Sequence, residues 1–201
     1  MSLWLLPEPL VLASRSAVRR AMLGAAGIPV EVSPADVDER VIETEFGSTR
    51  AEEVAALLAR SKAMTVAARM AGRIVLGADQ TLALDAGRFS KPAERAQARE
   101  QLLALRGRTH TLYSAVAIVR DGTILHECIA VARLTMRSFS DEFLERYLDE
   151  AGQAVTASVG AYQLERIGIH LFDRIEGDHF TILGLPLLAL LAFLRQRGFV
   201  A

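Results

Sequence analysis

Short apolar runs that predict buried strands alternate with helical segments along most of this chain, and this alternation constrains the fold most. Leu10–Ala13 predicts a strand that leads through serines into a helix ending near Ala26. Two long strand-like runs, Thr111–Arg120 and Thr123–Arg137, are joined by Asp121-Gly122, a pair typical of antiparallel hairpins. The alternation predicts an α/β fold, and the hairpins predict that its sheet is mixed.

The remaining segments fit the same interpretation. Further strands are predicted at Val30–Val32, Arg73–Leu76, Thr81–Leu84, Arg88–Phe89, Ile169–Phe172 and Thr181–Leu183. Helices are predicted from a capping box at Thr49-Arg50-Ala51-Glu52 to about Met70, over Glu94–Arg106, from Ser140 to about Glu150, and after Pro186. Residues 33–48 are polar and acidic without a clear period, and predict a loop. A length of 201 residues suits one domain or two closely packed lobes.

Composition excludes several classes of protein. The net charge is −1 and no basic run is present, which argues against nucleic-acid binding. The longest apolar stretch, Ile182–Leu194, is shorter than the roughly 20 residues that a membrane helix needs. The apolar N-terminus has no Lys or Arg ahead of it and is interrupted by Pro7 and Glu8, so it does not predict a signal peptide. A single cysteine, Cys128, excludes an internal disulfide and fits the reducing cytoplasm.

The strand-to-helix junction at Ser14-Arg15-Ser16 is the first candidate site. Backbone N–H groups and hydroxyls at the positive end of a helix bind phosphate well. Arg19 and Arg20 place cations in the first helical turn, where they oppose the helix dipole unless an anion is present. The alternative is an ordinary serine cap beside two solvated arginines.

The stronger candidate is Asp79, which follows the buried run Ile74–Leu76 through two small residues. Ligands in open α/β sheets bind beyond the carboxyl ends of strands, where a carboxylate suits a metal ligand or a general base. A turn-forming aspartate is the alternative. Lys62 extends the apolar stripe of its helix, and either reaches outward to the rim or points into a cleft, the first being commoner. Lys91, beside Pro92, follows the next hairpin and is a second candidate cation.

The order of these short motifs resembles the Maf family of nucleotide pyrophosphatases over nearly the whole chain. The matching segments are Leu12–Arg20, Val37-Asp38-Glu39, Ser61-Lys62-Ala63, Gly77-Ala78-Asp79, Lys91-Pro92, Gly107–His110, Ile175–Asp178 and Gly184–Leu187. The resemblance implies a single Maf-like domain over residues 1–201, with a mixed twisted sheet flanked by helices in two lobes around a central cleft. It also implies hydrolysis of a nucleoside triphosphate to a monophosphate and pyrophosphate, and, by analogy alone, a homodimer.

The resemblance also assigns roles to residues. It implies that Asp79 is the catalytic carboxylate, and that Glu39, Lys62 and Lys91 line the site. Glu39 and Asp79 are expected to hold a divalent cation, Mg²⁺ or alternatively Mn²⁺ or Co²⁺. The phosphates and base are expected to contact Ser14, Ser16, Val18, Arg19, Gln80 and Glu165.

Two positions favour one subgroup of the family. Gln80 and Glu165 resemble the members that act on 7-methyl-GTP, whereas members that favour dTTP and UTP have Thr and Gln there. A carboxylate such as Glu165 suits the N–H donors of a cationic methylated guanine. Ala17, Val18 and Arg166 depart from the family's patterns around the base. A dTTP or UTP pyrophosphatase, a nucleotide-sensing regulator of septum formation without turnover, and a protein acting on another acidic metabolite are the alternatives.

Overall fold

A mixed sheet dominates the computed structural model, which describes residues 2–48 and 50–201. Its strands are β1 (Leu10–Leu12), β2 (Val30–Val32), β3 (Val75–Leu84), β4 (Gly87–Phe89), β5 (Thr109–Arg120), β6 (Thr123–Met136) and β7 (Phe172–Glu176). The strand order is β2-β1-β3-β5-β6-β7, and β4 pairs with β3. Strand β1 pairs in parallel with β2 and β3, whereas β3–β4 and β6–β7 are antiparallel. The predicted mixed α/β fold is therefore confirmed.

Helices connect and flank these strands. They are α1 (Ala17–Ala25), α2 (Glu39–Phe46), α3 (Ala51–Ala67), α4 (Arg95–Leu105), α5 (Asp141–Ala151), α6 (His179–Ile182) and α7 (Leu187–Gln196). Two 3₁₀ segments lie at Gly152–Thr156 and Ile167–Leu171. In the described part of the chain, none of these helices has the length and apolar character that crossing a membrane requires.

The chain divides into two compact units. The first comprises the chain up to Gln80 together with Ser114–Ala130 and Gly184–Ala201, and the second comprises Thr81–Tyr113 and Val131–Leu183. The second unit has its own apolar core, in which Leu82, Leu102 and Leu134 are fully buried. The predicted single domain over residues 1–201 stays a prediction.

Helix α3 buries an alanine-rich face in the first unit. Val54 and Leu58 are buried and Met64 is exposed, whereas Ala55, Ala59 and Ala63 are covered completely. Small side chains let a helix backbone approach its neighbour more closely than leucine side chains would. That close approach sets the position of the candidate site.

Three local predictions are wrong. Residues 33–48 are not all loop, because the Asp38 carboxylate accepts hydrogen bonds from the backbone N–H groups of Arg40 and Val41 and so caps helix α2. Thr181–Leu183 is not a strand, because the Asp178 carboxylate caps the short helix α6 in the same way. Within Ile169–Phe172 only Phe172 belongs to a strand.

Two further boundaries bear on the site. Strand β3 does not end before Asp79 but continues through it to Leu84, so Asp79 lies within a strand. Its parallel neighbour β1 stops at Leu12, where Ala13 N–H donates to Leu76 O, and β3 continues beyond it. The predicted capping residue Thr49 lies outside the described residues, and α3 begins at Ala51.

Candidate functional site

A close helix–strand contact brings the two central residues of the site together. A Cβ atom added to Gly77 on β3 would lie 2.1 Å from Ala59 O and 2.7 Å from Ala63 N of α3. Only a glycine allows the helix backbone to lie this close to the strand. Lys62 precedes Ala63 on α3, and Asp79 is two residues after Gly77 on β3, so this contact sets the lysine beside the aspartate.

Lys62 joins the two predicted metal-binding carboxylates. Its Nζ lies 2.6 Å from Asp79 Oδ1 and 2.7 Å from Glu39 Oε1. The side chains of Lys62 and Asp79 are each only 12% exposed, whereas that of Glu39 is 49% exposed. Of the two expected orientations, Lys62 therefore takes the less common one and points inward. Glu39 reaches it from the first turn of α2, the helix that the Asp38 cap begins.

Burial makes Asp79 more basic than a surface aspartate. Loss of hydration is the largest effect and raises the pKa of Asp79, and the negative charge of Glu39 raises it further. The charges of Lys62 and Arg19 and the hydrogen bond from Lys62 lower the pKa, but the net shift is upward. A carboxylate of this kind accepts a proton more readily than an exposed one while still having cations beside it. These properties suit a general base.

Arg19 is held in a fixed orientation by three acceptors. Its Nε donates to Gly184 O at 2.8 Å, and its Nη1 donates to Ala78 O at 2.9 Å and to Ser14 Oγ at 3.2 Å. Burial lowers the pKa of the guanidinium, while the charges of Asp79 and Glu39 raise it. Arg19 is thus part of the same charge cluster, with most of its donors engaged by the protein.

The serines before α1 form a cap. Ser16 Oγ accepts from Arg19 N–H, and Ser14 Oγ accepts from Ser16 N–H as well as from the Arg19 side chain. The serine cap of the alternative interpretation is therefore present, but Arg19 is half-buried and bonded to the protein instead of solvated as that alternative required. Val18 on α1 is half-buried.

Gln80 has partners that sequence reasoning missed. Its Nε2 donates to the hydroxyl of the fully buried Ser114 on β5 at 2.9 Å. A Cβ atom at Gly184 would lie 3.2 Å from Arg19 Nη2 and 3.6 Å from Gln80 Oε1. Gly184 also has φ +91°, a left-handed conformation that favours glycine. A serine within the apolar run of β5 was the signal for Ser114, and the Gly-Leu-Pro-Leu segment was the signal for Gly184.

Not all predicted site residues lie in the first unit. That unit contains Ser14, Ser16, Val18, Arg19, Glu39, Lys62, Asp79 and Gln80. Lys91 and Glu165 belong to the second unit, where both are exposed. The roles expected of Lys91 and Glu165 stay predictions.

The carboxylates of Glu39 and Asp79 fit a hard divalent cation that is shared with phosphate. Across residues 2–48 and 50–201, no three His, Cys, Asp or Glu side chains gather into a group that could hold a metal alone. Mg²⁺ is usually held by one or two carboxylates together with substrate phosphates and water, and the number and type of the carboxylates Glu39 and Asp79 match that pattern.

Comparison with known proteins relates this chain to others over its whole length. The model of the "Maf-like protein" family matches residues 9–197. A nucleoside triphosphate pyrophosphatase from Nitrobacter hamburgensis is 56% identical over 201 residues, which cover 100% of both chains. A 7-methyl-GTP pyrophosphatase from Mesorhizobium japonicum is 51% identical over 193 residues, 95% of this chain and 97% of that one.

Solved structures are more distant. A HAM1 protein from Coxiella burnetii superposes with a TM-score of 0.41 at 18% identity, covering 64% of this chain and 72% of that one. This likeness is too weak to support an argument. The family model and the two relatives are sufficient by themselves, and this chain belongs to the Maf-like family.

Proposed function

We propose that this chain is a nucleoside triphosphate pyrophosphatase. It hydrolyses the bond between the α and β phosphates and releases a nucleoside monophosphate and pyrophosphate. The observation that carries the proposal is the buried Asp79 carboxylate bonded to Lys62 and close to Arg19, with Glu39 on the same ammonium. Two relatives of more than half identity, which cover 100% and 95% of this chain, are named as pyrophosphatases of nucleoside triphosphates, which supports the proposal.

In the proposed reaction, Asp79 orients a water molecule and takes its proton as the water oxygen attacks the α phosphorus. The bond from that phosphorus to the bridging oxygen breaks, and pyrophosphate leaves with the bonding electrons. Burial supports Asp79 in this role because it raises the pKa of the carboxyl group.

The cationic side chains stabilise charge on the phosphates. Lys62 donates hydrogen bonds and a formal charge from a largely buried position, which strengthens its interaction with an anion. Arg19 contributes its positive charge. Its hydrogen bonds to backbone carbonyls hold the guanidinium in a fixed orientation, so the side chain does not have to reorganise during the reaction. Lys91, on the second unit, is proposed as a further phosphate contact.

Glu39 and Asp79 are the residues that would hold a divalent cation, proposed as Mg²⁺ with Mn²⁺ or Co²⁺ as alternatives. A cation bound there supplies Lewis-acid stabilisation of the charge that builds on the phosphate oxygens.

For the base, we propose 7-methyl-GTP or another modified nucleotide. A relative that bears the 7-methyl-GTP pyrophosphatase name is 51% identical, which supports this choice. Gln80 and Glu165 are the proposed base contacts. The proposed setting is the cytoplasm, which suits a chain with one cysteine.

The test is a substrate panel. The protein is incubated with Mg²⁺ and 7-methyl-GTP, GTP, CTP, dTTP or UTP, and released pyrophosphate and nucleoside monophosphate are measured together. We expect both products in equal amounts, with 7-methyl-GTP giving the highest kcat/KM. A dTTP or UTP preference would reject the proposed base, and nucleotide binding without release of pyrophosphate would reject the activity.

Asp79→Asn is the matched variant for this assay. It keeps the size of the side chain but removes the charge and the proton acceptor, so we expect kcat to fall by about 10²-fold or more. Nucleotide affinity, measured by calorimetry with a non-hydrolysable analogue, should change far less. Turnover like that of the unchanged protein would remove Asp79 from the mechanism.

A further inference from the structure

The Lys62 ammonium occupies the place between the two carboxylates that are proposed to hold a cation. It lies 2.6 Å from Asp79 Oδ1 and 2.7 Å from Glu39 Oε1, which are hydrogen-bonding distances to both at once. A divalent ion that used the same two oxygens would have to enter beside a positive charge or replace it. Lys62 and such an ion are therefore competitors for one pair of ligands.

The surroundings make Lys62 hard to displace by an ion alone. Its side chain is 12% exposed, so an ammonium that released both carboxylates would lose two charge-assisted bonds in a poorly hydrated position. Arg19 does not take its place, because Ser14, Ala78 and Gly184 hold its Nε and Nη1. A polyphosphate removes this obstacle, because its oxygens offer the ammonium a new anionic partner.

We infer that Lys62 is a tethered cation that keeps Glu39 and Asp79 paired until a nucleotide arrives, so that these carboxylates bind a metal ion only together with the triphosphate. This inference rests on the proposed function, since it assumes that the bound anion is a nucleoside triphosphate. It adds an order of events: Lys62 moves from the carboxylates to the phosphates, and the carboxylates become available as ligands.

Mn²⁺ binding to the nucleotide-free protein tests this inference without any turnover. Free Mn²⁺ is measured by electron paramagnetic resonance during titration at pH 8, with calorimetry as a second readout. We expect the unchanged protein to bind with a dissociation constant weaker than about 1 mM. Lys62→Met, which has a similar length and no charge, is expected to bind at least about tenfold more tightly.

Three further variants show whether the gain arises at this pair. Lys62→Arg keeps the cation and should bind as weakly as the unchanged protein. Adding Asp79→Asn to Lys62→Met should abolish the gain, because one of the two ligands loses its charge. Arg20→Met removes one positive charge from an exposed position on α1 and should give no gain.

Several results would overturn the inference. Stoichiometric Mn²⁺ binding below about 0.1 mM by the unchanged protein overturns it even without a variant. Equal affinity in Lys62→Met and in the unchanged protein overturns it, as does an equal gain in Arg20→Met. If circular dichroism shows that Lys62→Met does not fold, Lys62→Gln replaces it.

Pyrophosphate release tests the proposed function separately from Mn²⁺ binding. A protein that releases pyrophosphate but shows no effect of Lys62 on Mn²⁺ binding retains the function and loses this inference. A protein that shows the Lys62 effect but hydrolyses none of the nucleotides in the panel retains the competition between cations and loses the function.

Discussion

At the scale of single residues, His110 is a buried group whose protonation the fold opposes. It is 1% exposed, its Nε2 lies 2.7 Å from Tyr162 Oη, and its Nδ1 has no partner among the described residues. Loss of hydration lowers the pKa of His110 to about 4. The folded chain thus keeps this histidine neutral at pH values where an exposed histidine takes up a proton.

His110 is expected to make stability depend on pH between about 6.5 and 4. As pH falls below about 6.5, the unfolded chain gains a proton at this residue that the folded chain does not bind until about pH 4. Lower pH therefore favours unfolding, by roughly 3 kcal/mol in total for this group. Urea unfolding at pH 7.0 and at pH 4.5 measures the loss.

Comparison of variants separates the effect of His110 on the free energy of unfolding from the effect of carboxylates that titrate in the same pH range. His110→Gln is neutral at every pH, so its free energy of unfolding should fall less than that of the unchanged protein over this interval. His170→Gln, at an exposed position, should lose as much stability as the unchanged protein. An equal loss in His110→Gln would contradict the assignment.

At the scale of elements, the contact between α3 and β3 determines both stability and the site. Gly77→Ala puts a Cβ atom against the backbone of Ala59 and Ala63, which cannot yield as a flexible side chain would. We expect the free energy of unfolding to fall by about 3 kcal/mol. Since the helix must shift away from the strand, Lys62 should separate from Asp79 and pyrophosphate release should fall by about 10²-fold. Urea unfolding and the pyrophosphate assay measure the two effects.

Gly24→Ala is the matched control for that substitution. Gly24 lies within α1, and an added Cβ atom would have no heavy atom within 4 Å. Alanine is the better helix former, so stability should rise by about 0.5–1 kcal/mol with activity unchanged. Equal effects of the two substitutions would mean that the close approach at Gly77 is unimportant.

Elements with strong local signals were predictable from sequence, whereas a helix that depends on one capping side chain was not. The strand and hairpin signals gave β1, β2 and the β5–β6 turn, where Asp121 and Gly122 both take positive φ as such a turn requires. Helix α2 buries no residue in the core, so packing against the sheet does not define it. It forms because the Asp38 carboxylate caps it and Gly47 ends it in a left-handed conformation.

The candidate site was predictable in its residue types but not in its arrangement. The motif order pointed to Asp79, Lys62 and Glu39, yet a lysine on the apolar stripe of a helix more commonly reaches outward to the rim. Because Gly77 has no side chain, α3 lies close to β3, and this places Lys62 beside Asp79. A single sequence does not reveal such a long-range contact. Ser114 was missed for the same reason, since its partner Gln80 lies on another strand.

At the scale of the whole molecule, the chain has two compact units that share three strands. Strand β3 passes from one unit to the other after Gln80, β5 after Tyr113 and β6 after Ala130. Loss of pairing in one half of such a strand leaves the backbone hydrogen-bonding groups of that half without partners, directly next in sequence to the half that stays paired. Continuity of the backbone through three strands therefore predicts that both units unfold together.

The aromatic residues provide a separate probe for each unit. Trp4 is the single tryptophan and belongs to the first unit, where it is 6% exposed and its Nε1 donates to Glu8 O. All three tyrosines, Tyr113, Tyr147 and Tyr162, belong to the second. Trp fluorescence thus follows the first unit, and tyrosine second-derivative absorbance follows the second.

We expect the two probes to give the same urea midpoint, because neither unit can open while the shared strands stay paired. Gly77→Ala provides the sharper version of this test. Its clash lies wholly within the first unit, so independent units would show a lower midpoint for Trp4 alone. Coupled units require the tyrosine midpoint to fall by the same amount, although no tyrosine belongs to the unit in which the substitution is made. A tyrosine transition that stays in place while the Trp4 transition moves would show that three continuous strands do not make one cooperative unit.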